Sequence, residues 1–292
     1  MVLASLVGSM RRQNPSSEFR PPLKTVGSRT AQLTTALYER GRTTFTLADV
    51  HTITGLLPAS ARSLIRYAVA RGVVSRLKPG LFVLVPPELG RATEFAGNPY
   101  IVARELVAGG EYFISHASAM ELHRMITQPQ FVIFTSAPKR LRNRIIHGAE
   151  FRFVFLRHEA VFGVTTHWVS KRESIKVSDV ERTVIDGLHM PAYCGGITEV
   201  AKGLWMRHDS IDTRRLVDYA LRLGVGAVIR RLGYLLDLYQ MGTPEELARL
   251  RTLVTATYAT LDPMLPNEGS YVSAWRLRVN VSPEELNAVG RT

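Results

Sequence analysis

Between Ser28 and Val85 the spacing of apolar residues predicts three short helices followed by a hairpin. Leu33, Ala36 and Leu37 share one face of a helix that Ser28 caps and Gly41 stops. Thr46 caps a second helix, with Asp49 beside its first-turn amides, Val50 and Ile53 pointing inward, and Gly55 at its end. Pro58 opens the third. Its apolar arc is Ala61, Leu64, Ile65, Ala68 and Val69, while Arg62, Ser63 and Arg66 fall on the opposite arc, and Gly72 closes it. Two short runs, Val73 to Leu77 and Leu81 to Val85, then read as strands joined by Lys78-Pro79-Gly80. Proline second and glycine third is the order of a type II turn, in which only the third residue needs positive φ.

Pro86-Pro87 and the polar passage to Asn98 mark a change of domain. Asn98-Pro99 starts a helix through Leu106, Tyr112 to Ile114 is extended, and Ser115 caps a helix carrying His116, Met120, Leu122 and His123. From Phe131 to Val169 the period becomes two: Phe131 to Phe134 reads as a buried strand, and Phe151, Phe153 and Phe155 alternate along a half-exposed one. Ser178-Asp179-Val180-Glu181 is a capping-box sequence, opening a helix that closes near Met190-Pro191. Helical periodicity returns over 197–206, 213–223, 225–240 and 244–255. The segment 261–281 is extended, with Trp275 and Leu277 alternating with Arg276 and Arg278, and Ser282-Pro283 begins a last helical turn.

These elements predict an α+β protein: a basic arm at 1–27, an N-terminal winged helix–turn–helix domain at 28–90, and a larger mixed α/β C-terminal domain at 91–292. The small domain can enclose Leu33, Leu37, Val50, Ile53, Leu64, Ile65 and Val69, a core marginal for independent folding. No internal repeat is present.

Charge sharpens this picture. The formal net charge is +12, and residues 1–90 hold 12 Lys and Arg against 4 Asp and Glu, whereas 91–292 hold 25 against 21. Positive charge concentrated around a winged helix suits a polyanion, because neutralising phosphates releases condensed counterions. An anionic membrane is the competing partner, but no stretch is apolar enough to span one, so no membrane association is expected. Arg outnumbers Lys 31 to 6 along the whole chain, a bias that a GC-rich coding genome explains. The single Cys194 excludes an internal disulfide and a cysteine-based zinc site and fits a reducing cytoplasm. The mildly apolar Met1 to Met10 lacks a basic start, so no signal peptide is expected.

Within the winged helix, Ser60, Arg62, Ser63 and Arg66 are the candidates for reading base edges from the third helix. Arg71, Arg76 and Lys78, at the helix end and the wing, are the candidates for phosphate contacts. Lys139, Arg140, Arg142 and Arg144 form a dense basic run that serves as a second phosphate-contacting surface, as a dock for an acidic partner, or as a charged, solvated sheet edge. His116 and His123 can share a helix face, but with no third ligand in sight packing explains them better than a metal. Asp179, Glu181 and Asp186 lack the spacing and the lysine of a nuclease centre, and capping and surface pairing account for them. Gly195-Gly196 lacks the lysine and preceding strand of a phosphate loop. No catalytic residue, metal site or cofactor is expected. A DNA-processing enzyme targeted by a winged helix and a winged-helix protein–protein interaction module remain as alternatives.

Three stretches together resemble an actinobacterial member of the AbiEi family of type IV antitoxins. They are Gly72 to Phe82, similar to the family's wing; Val177 to Asp186 with Gly195-Gly196; and Leu261-Asp262-Pro263 with Trp275, Arg276 and Asn280. Phe82 stands where the family usually has Tyr, which removes a hydroxyl contact there. The resemblance implies a cytoplasmic, non-enzymatic transcriptional autorepressor that binds inverted repeats in its own promoter on double-stranded DNA. It also implies pairing with a nucleotidyltransferase-like toxin, which the C-terminal domain would help neutralise without a stable complex.

Overall fold

The computed structural model describes residues 24–288, so the expected arm at 1–27 lies, apart from its last four residues, outside the described residues. Three helices, α1 (Ser28–Glu39), α2 (Leu47–Thr54) and α3 (Pro58–Ala70), stand beside a small antiparallel sheet. Its strands are β1 (Thr44–Thr46), β2 (Val74–Lys78) and β3 (Leu81–Leu84), in the order β1-β3-β2. Thr46 and Asp49 make a reciprocal capping box at the start of α2, and Gly55 ends that helix at φ +69°. Gly80, at φ +81°, takes the third position of the β2–β3 turn. The spacing placed Ser28 as the cap of α1; in the structure Gly27 takes that position and Ser28 is the first helical residue. Strand β1 has no counterpart in the sequence reading. Three residues carry too little periodicity to declare a strand, and pairing of Phe45 with Phe82 decides it.

The rest begins with α4 (Pro99–Val107), capped by the Asn98 carboxamide. Next come β4 (Phe113–Ile114), α5 (His116–Leu122), β5 (Val132–Ala137), β6 (Arg144–Ile146), β7 (Ala149–Phe155), β8 (Val164–Trp168) and β9 (Ser174–Ser178). The strands make one six-stranded mixed sheet in the order β6-β7-β5-β4-β9-β8. Helices α6 (Val180–His189), α7 (Ile197–Met206), α8 (Thr213–Leu223), α9 (Gly226–Leu238) and α10 (Pro244–Arg251) follow. A last three-stranded sheet has β10 (Ala259–Thr260), β12 (Leu277–Val279) and β11 (Ser270–Val272) in that order, and α11 (Pro283–Ala288) closes the described chain. Gly233 in α9 has no side chain because the Trp275 ring occupies that place, and Trp275 is fully buried there. The class is α+β, as expected.

Two local expectations are corrected. Phe131 lies outside β5 and is 85% exposed, because the strand begins one residue later. Ser178 does not cap α6. It remains the last residue of β9, where its hydroxyl bonds Thr183 and the Ile114 carbonyl, so Asp179 becomes the cap and accepts the Arg182 N–H. Glu181 turns away from the helix start to accept the Asp212 N–H.

The cores also cross the expected boundary at residue 90. Leu33, Leu37, Phe45, Val50, Ile65, Phe82 and their neighbours enclose one core. The opposite face of the hairpin, through Leu77, Leu81 and Val83, is buried with Ile101 and Leu106 of α4 and Ile133 and Phe151 of the large sheet. All four residues of β3 are buried, as in a strand covered on both faces. The hairpin is therefore an element of both cores.

Candidate nucleic-acid interface

Helix α3 buries Ala61, Ile65 and Ala68 and turns Ser60, Arg62, Ser63, Arg66 and Tyr67 to solvent. No acidic residue lies within it. Its position is held from behind: the Gln32 carboxamide and the Arg29 guanidinium donate to the Ile53 and Thr54 carbonyls at the end of α2, and His51 Nδ1 meets the Leu56 carbonyl at 2.6 Å. The α2–α3 corner is thus tied to α1 by its own free carbonyls. Arg66 lies 5.3 Å over the neighbouring Tyr67 ring. Arg71 is exposed at the C-terminal cap of α3.

The hairpin presents Arg76 on the same side. Arg76 is exposed, and its guanidinium sits 5.9 Å over the ring of Phe82. Arg62, Arg66 and Arg76 surround a cleft of about 340 Å³ whose walls are Leu47, Ile65, Val69 and Phe82. None of the three guanidiniums pairs with a carboxylate among the described residues, whereas Arg42, Arg104, Arg152, Arg182, Arg215, Arg249 and Arg251 all do.

Lys78 departs from the sequence reading, which gave it a phosphate. Its ammonium donates to the Glu105 and Leu106 carbonyls at 3.2 and 3.4 Å, at the C-terminal end of α4, where unsatisfied carbonyls attract a cation. Burial, with the charges of Arg144 and Lys139 nearby, holds this amine below the usual lysine range. Lys78→Met is expected to leave duplex affinity within about twofold while lowering stability by about 1 kcal/mol in chemical denaturation. A loss of affinity shared by cognate and random DNA would return Lys78 to the phosphate contacts.

Arg144, the last residue of the basic run, opens strand β6, and the turn that follows reaches the β2–β3 hairpin. His147 Nε2 in the β6–β7 turn is 3.0 Å from the Ser75 hydroxyl and 3.1 Å from the Arg76 carbonyl, within β2. Lys139, Arg140, Arg142 and Arg144 are all exposed, and none has an acidic partner among the described residues. Arg140 lies 4.7 Å over Phe155. The sequence offered the run as one of three kinds of surface. The fold brings the strand that Arg144 opens to the β2–β3 hairpin through His147, a juxtaposition no local signal reveals, since it depends on contacts some seventy residues apart.

The other candidate groups are structural. Asp186 accepts from Arg182 at 2.8 Å within the interior, so it and Glu181 are buried residues, not the surface pairs that the spacing indicated. His116 is buried between Phe134 and Tyr193, with its Nδ1 2.9 Å from the Ser115 hydroxyl; burial lowers its pKa to about 4. His123 instead meets the Ser178 carbonyl at 2.6 Å, so the two histidines do not share a site. Cys194 is fully enclosed, and burial pushes its thiol up. Among the described residues no three His, Cys, Asp or Glu side chains stand together as a metal site, and no helix is long and apolar enough to cross a membrane.

No family model and no curated protein matches the sequence. Among solved structures, the chain is similar to the crystal structure of the Rv2827c protein from Mycobacterium tuberculosis, with a TM-score of 0.67 at 17% sequence identity. The similarity covers 91% of this chain and 96% of that one and is a likeness of fold.

Proposed function

We propose that residues 28–85 act as a winged helix that binds duplex DNA, with α3 in the major groove and the β2–β3 hairpin beside the flanking backbone. The observation that carries this reading is the exposed, acid-free stripe of Ser60, Arg62, Ser63 and Arg66, with Arg76 of the hairpin lining the same cleft as Arg62 and Arg66. Exposed arginines without carboxylate partners are free to take guanine edges or phosphates bidentately. The chain would then be a sequence-specific, non-enzymatic transcriptional autorepressor in the cytoplasm, acting without cofactor. The further role, antitoxin to a nucleotidyltransferase-like toxin, is drawn from the resemblance to the AbiEi family of Gly72–Phe82, of Val177–Asp186 with Gly195-Gly196, and of Leu261-Asp262-Pro263 with Trp275, Arg276 and Asn280.

The test uses the full chain, an operator selected from a random duplex pool, and a scrambled duplex. Arg66→Ala is expected to lower affinity for the operator by roughly 1–3 kcal/mol and to relax discrimination at one base pair, with little effect on the scrambled sequence. An equal loss on both duplexes, or none, removes α3 as the reader. With magnesium present the DNA should be retarded intact; cleavage would favour the DNA-processing alternative. The antitoxin role is checked separately: the adjacent gene should encode a nucleotidyltransferase-like protein, and co-expression of the two should rescue growth.

A further inference from the structure

We infer that the cleft between α3 and the β2–β3 hairpin is a binding site for a small amphipathic anion, a flat apolar body bearing one carboxylate. The residues lining this cleft have two opposite chemistries. Leu47, Ile65, Val69 and Phe82 give the cleft an apolar lining, and Arg62, Arg66 and Arg76, all exposed, line it as well. A phosphate backbone needs only the arginines, since an ionic group gains nothing from an apolar recess and loses hydration by entering it. An uncharged hydrocarbon would use only the apolar lining. A molecule that uses both puts its rings against Leu47 and Val69 and its carboxylate beside the arginines.

Size and orientation agree with this ligand class. A cleft of about 340 Å³ lies within the range typical of small-molecule sites and accommodates a two-ring acid. The planar guanidinium takes a carboxylate through two parallel hydrogen bonds. Arg76 lies over the Phe82 ring, and Arg62 and Arg66 stand one helical turn apart on α3. No carboxylate among the described residues pairs with any of the three, so an entering anion meets no competing acid.

The ligand site stands on the cleft itself. Its consequence rests on the proposed function: a carboxylate held by Arg62 and Arg66 occupies the residues assigned to base reading, so ligand and operator exclude each other.

The probe is 1-naphthoate, with 1-naphthalenemethanol as its uncharged counterpart, titrated into the full-length protein by calorimetry and by methyl NMR. Saturable one-to-one binding of naphthoate is expected, with shifts concentrated at Leu47, Ile65 and Val69, and binding of the alcohol about tenfold weaker or less. Arg76→Gln, a change at an exposed position, should weaken naphthoate about tenfold and leave the alcohol unchanged. Val69→Phe, which fills the cleft, should remove both. Absence of saturable binding, equal affinity for acid and alcohol, or indifference to both substitutions overturns the site. With operator DNA present, naphthoate should release the duplex; a protein that holds both at once overturns the exclusion. Should naphthoate bind as described to a protein that retains no duplex, the ligand site stands and the DNA-binding proposal fails. If DNA is retained and naphthoate never binds, the reverse holds.

Discussion

Raising monovalent salt from about 50 to about 200 mM is expected to weaken duplex binding by about 500-fold, the loss that follows from neutralising roughly five phosphates at a slope of about −4.5. The charges needed are exposed on α3, on the β2–β3 hairpin and on the 139–144 run. Arg62, Arg66, Arg71 and Arg76 come from α3 and the hairpin, and Lys139, Arg140, Arg142 and Arg144 from the run. The first ninety residues carry 12 Lys and Arg against 4 Asp and Glu, so little acidic charge offsets these groups. Replacing the four residues of the 139–144 run by Gln separates its possible roles. If the run touches the backbone, the log–log slope becomes shallower by about one unit for each phosphate contact removed. A variant with an unchanged slope makes the run a solvated sheet edge. A response to salt that is flat in the unaltered protein removes the electrostatic basis of DNA binding altogether.

Arg182→Leu is expected to cost about 3–5 kcal/mol of folding stability, because it leaves the buried Asp186 carboxylate without its counter-charge. Arg182 and Asp186 are both nearly inaccessible to solvent and lie one turn apart on α6. The Arg182 guanidinium also donates to the Ala160 carbonyl at 2.9 Å and packs 4.1 Å over Phe162. It thereby fastens the segment before β8 to the helical layer. The second oxygen of Asp186 has no protein partner. Arg182 is the ion-pair partner of Asp186 among the described residues. Arg182→Met combined with Asp186→Leu should lose less than Arg182→Leu alone, since apolar replacement of both partners leaves no stranded charge. Urea denaturation midpoints of the three proteins decide the matter. A single variant within about 1 kcal/mol of the parent, or a double variant that loses as much as the single one, rules out this account.

What could be read from the chain alone is what neighbouring residues decide among themselves. The Thr46–Asp49 box, proline at the first turn of α3 and glycine at φ +81° in the hairpin are satisfied within four residues. The bounds of α7 and α8 follow equally from local apolar periodicity, and the α+β class follows from the order of such elements. The arginine stripe of α3 was legible for the same reason, since one helix turn relates its members.

Tertiary structure decided everything that depends on which surfaces meet. Ser178 has the composition of a cap, yet pairing of β9 with β8 keeps it in a strand and passes the cap to Asp179. Lys78 reads as a wing cation until α4 places two free carbonyls within its reach. Leu77, Leu81 and Val83 alternate like one face of an ordinary hairpin, and only the docking of α4 and the large sheet shows that this face is covered. The cleft beside Arg76 likewise needs α2, α3 and β3 together before it exists. Periodicity tells each element which of its faces is apolar; it carries no information about the partner that covers that face, because burial is non-directional and many apolar surfaces would serve.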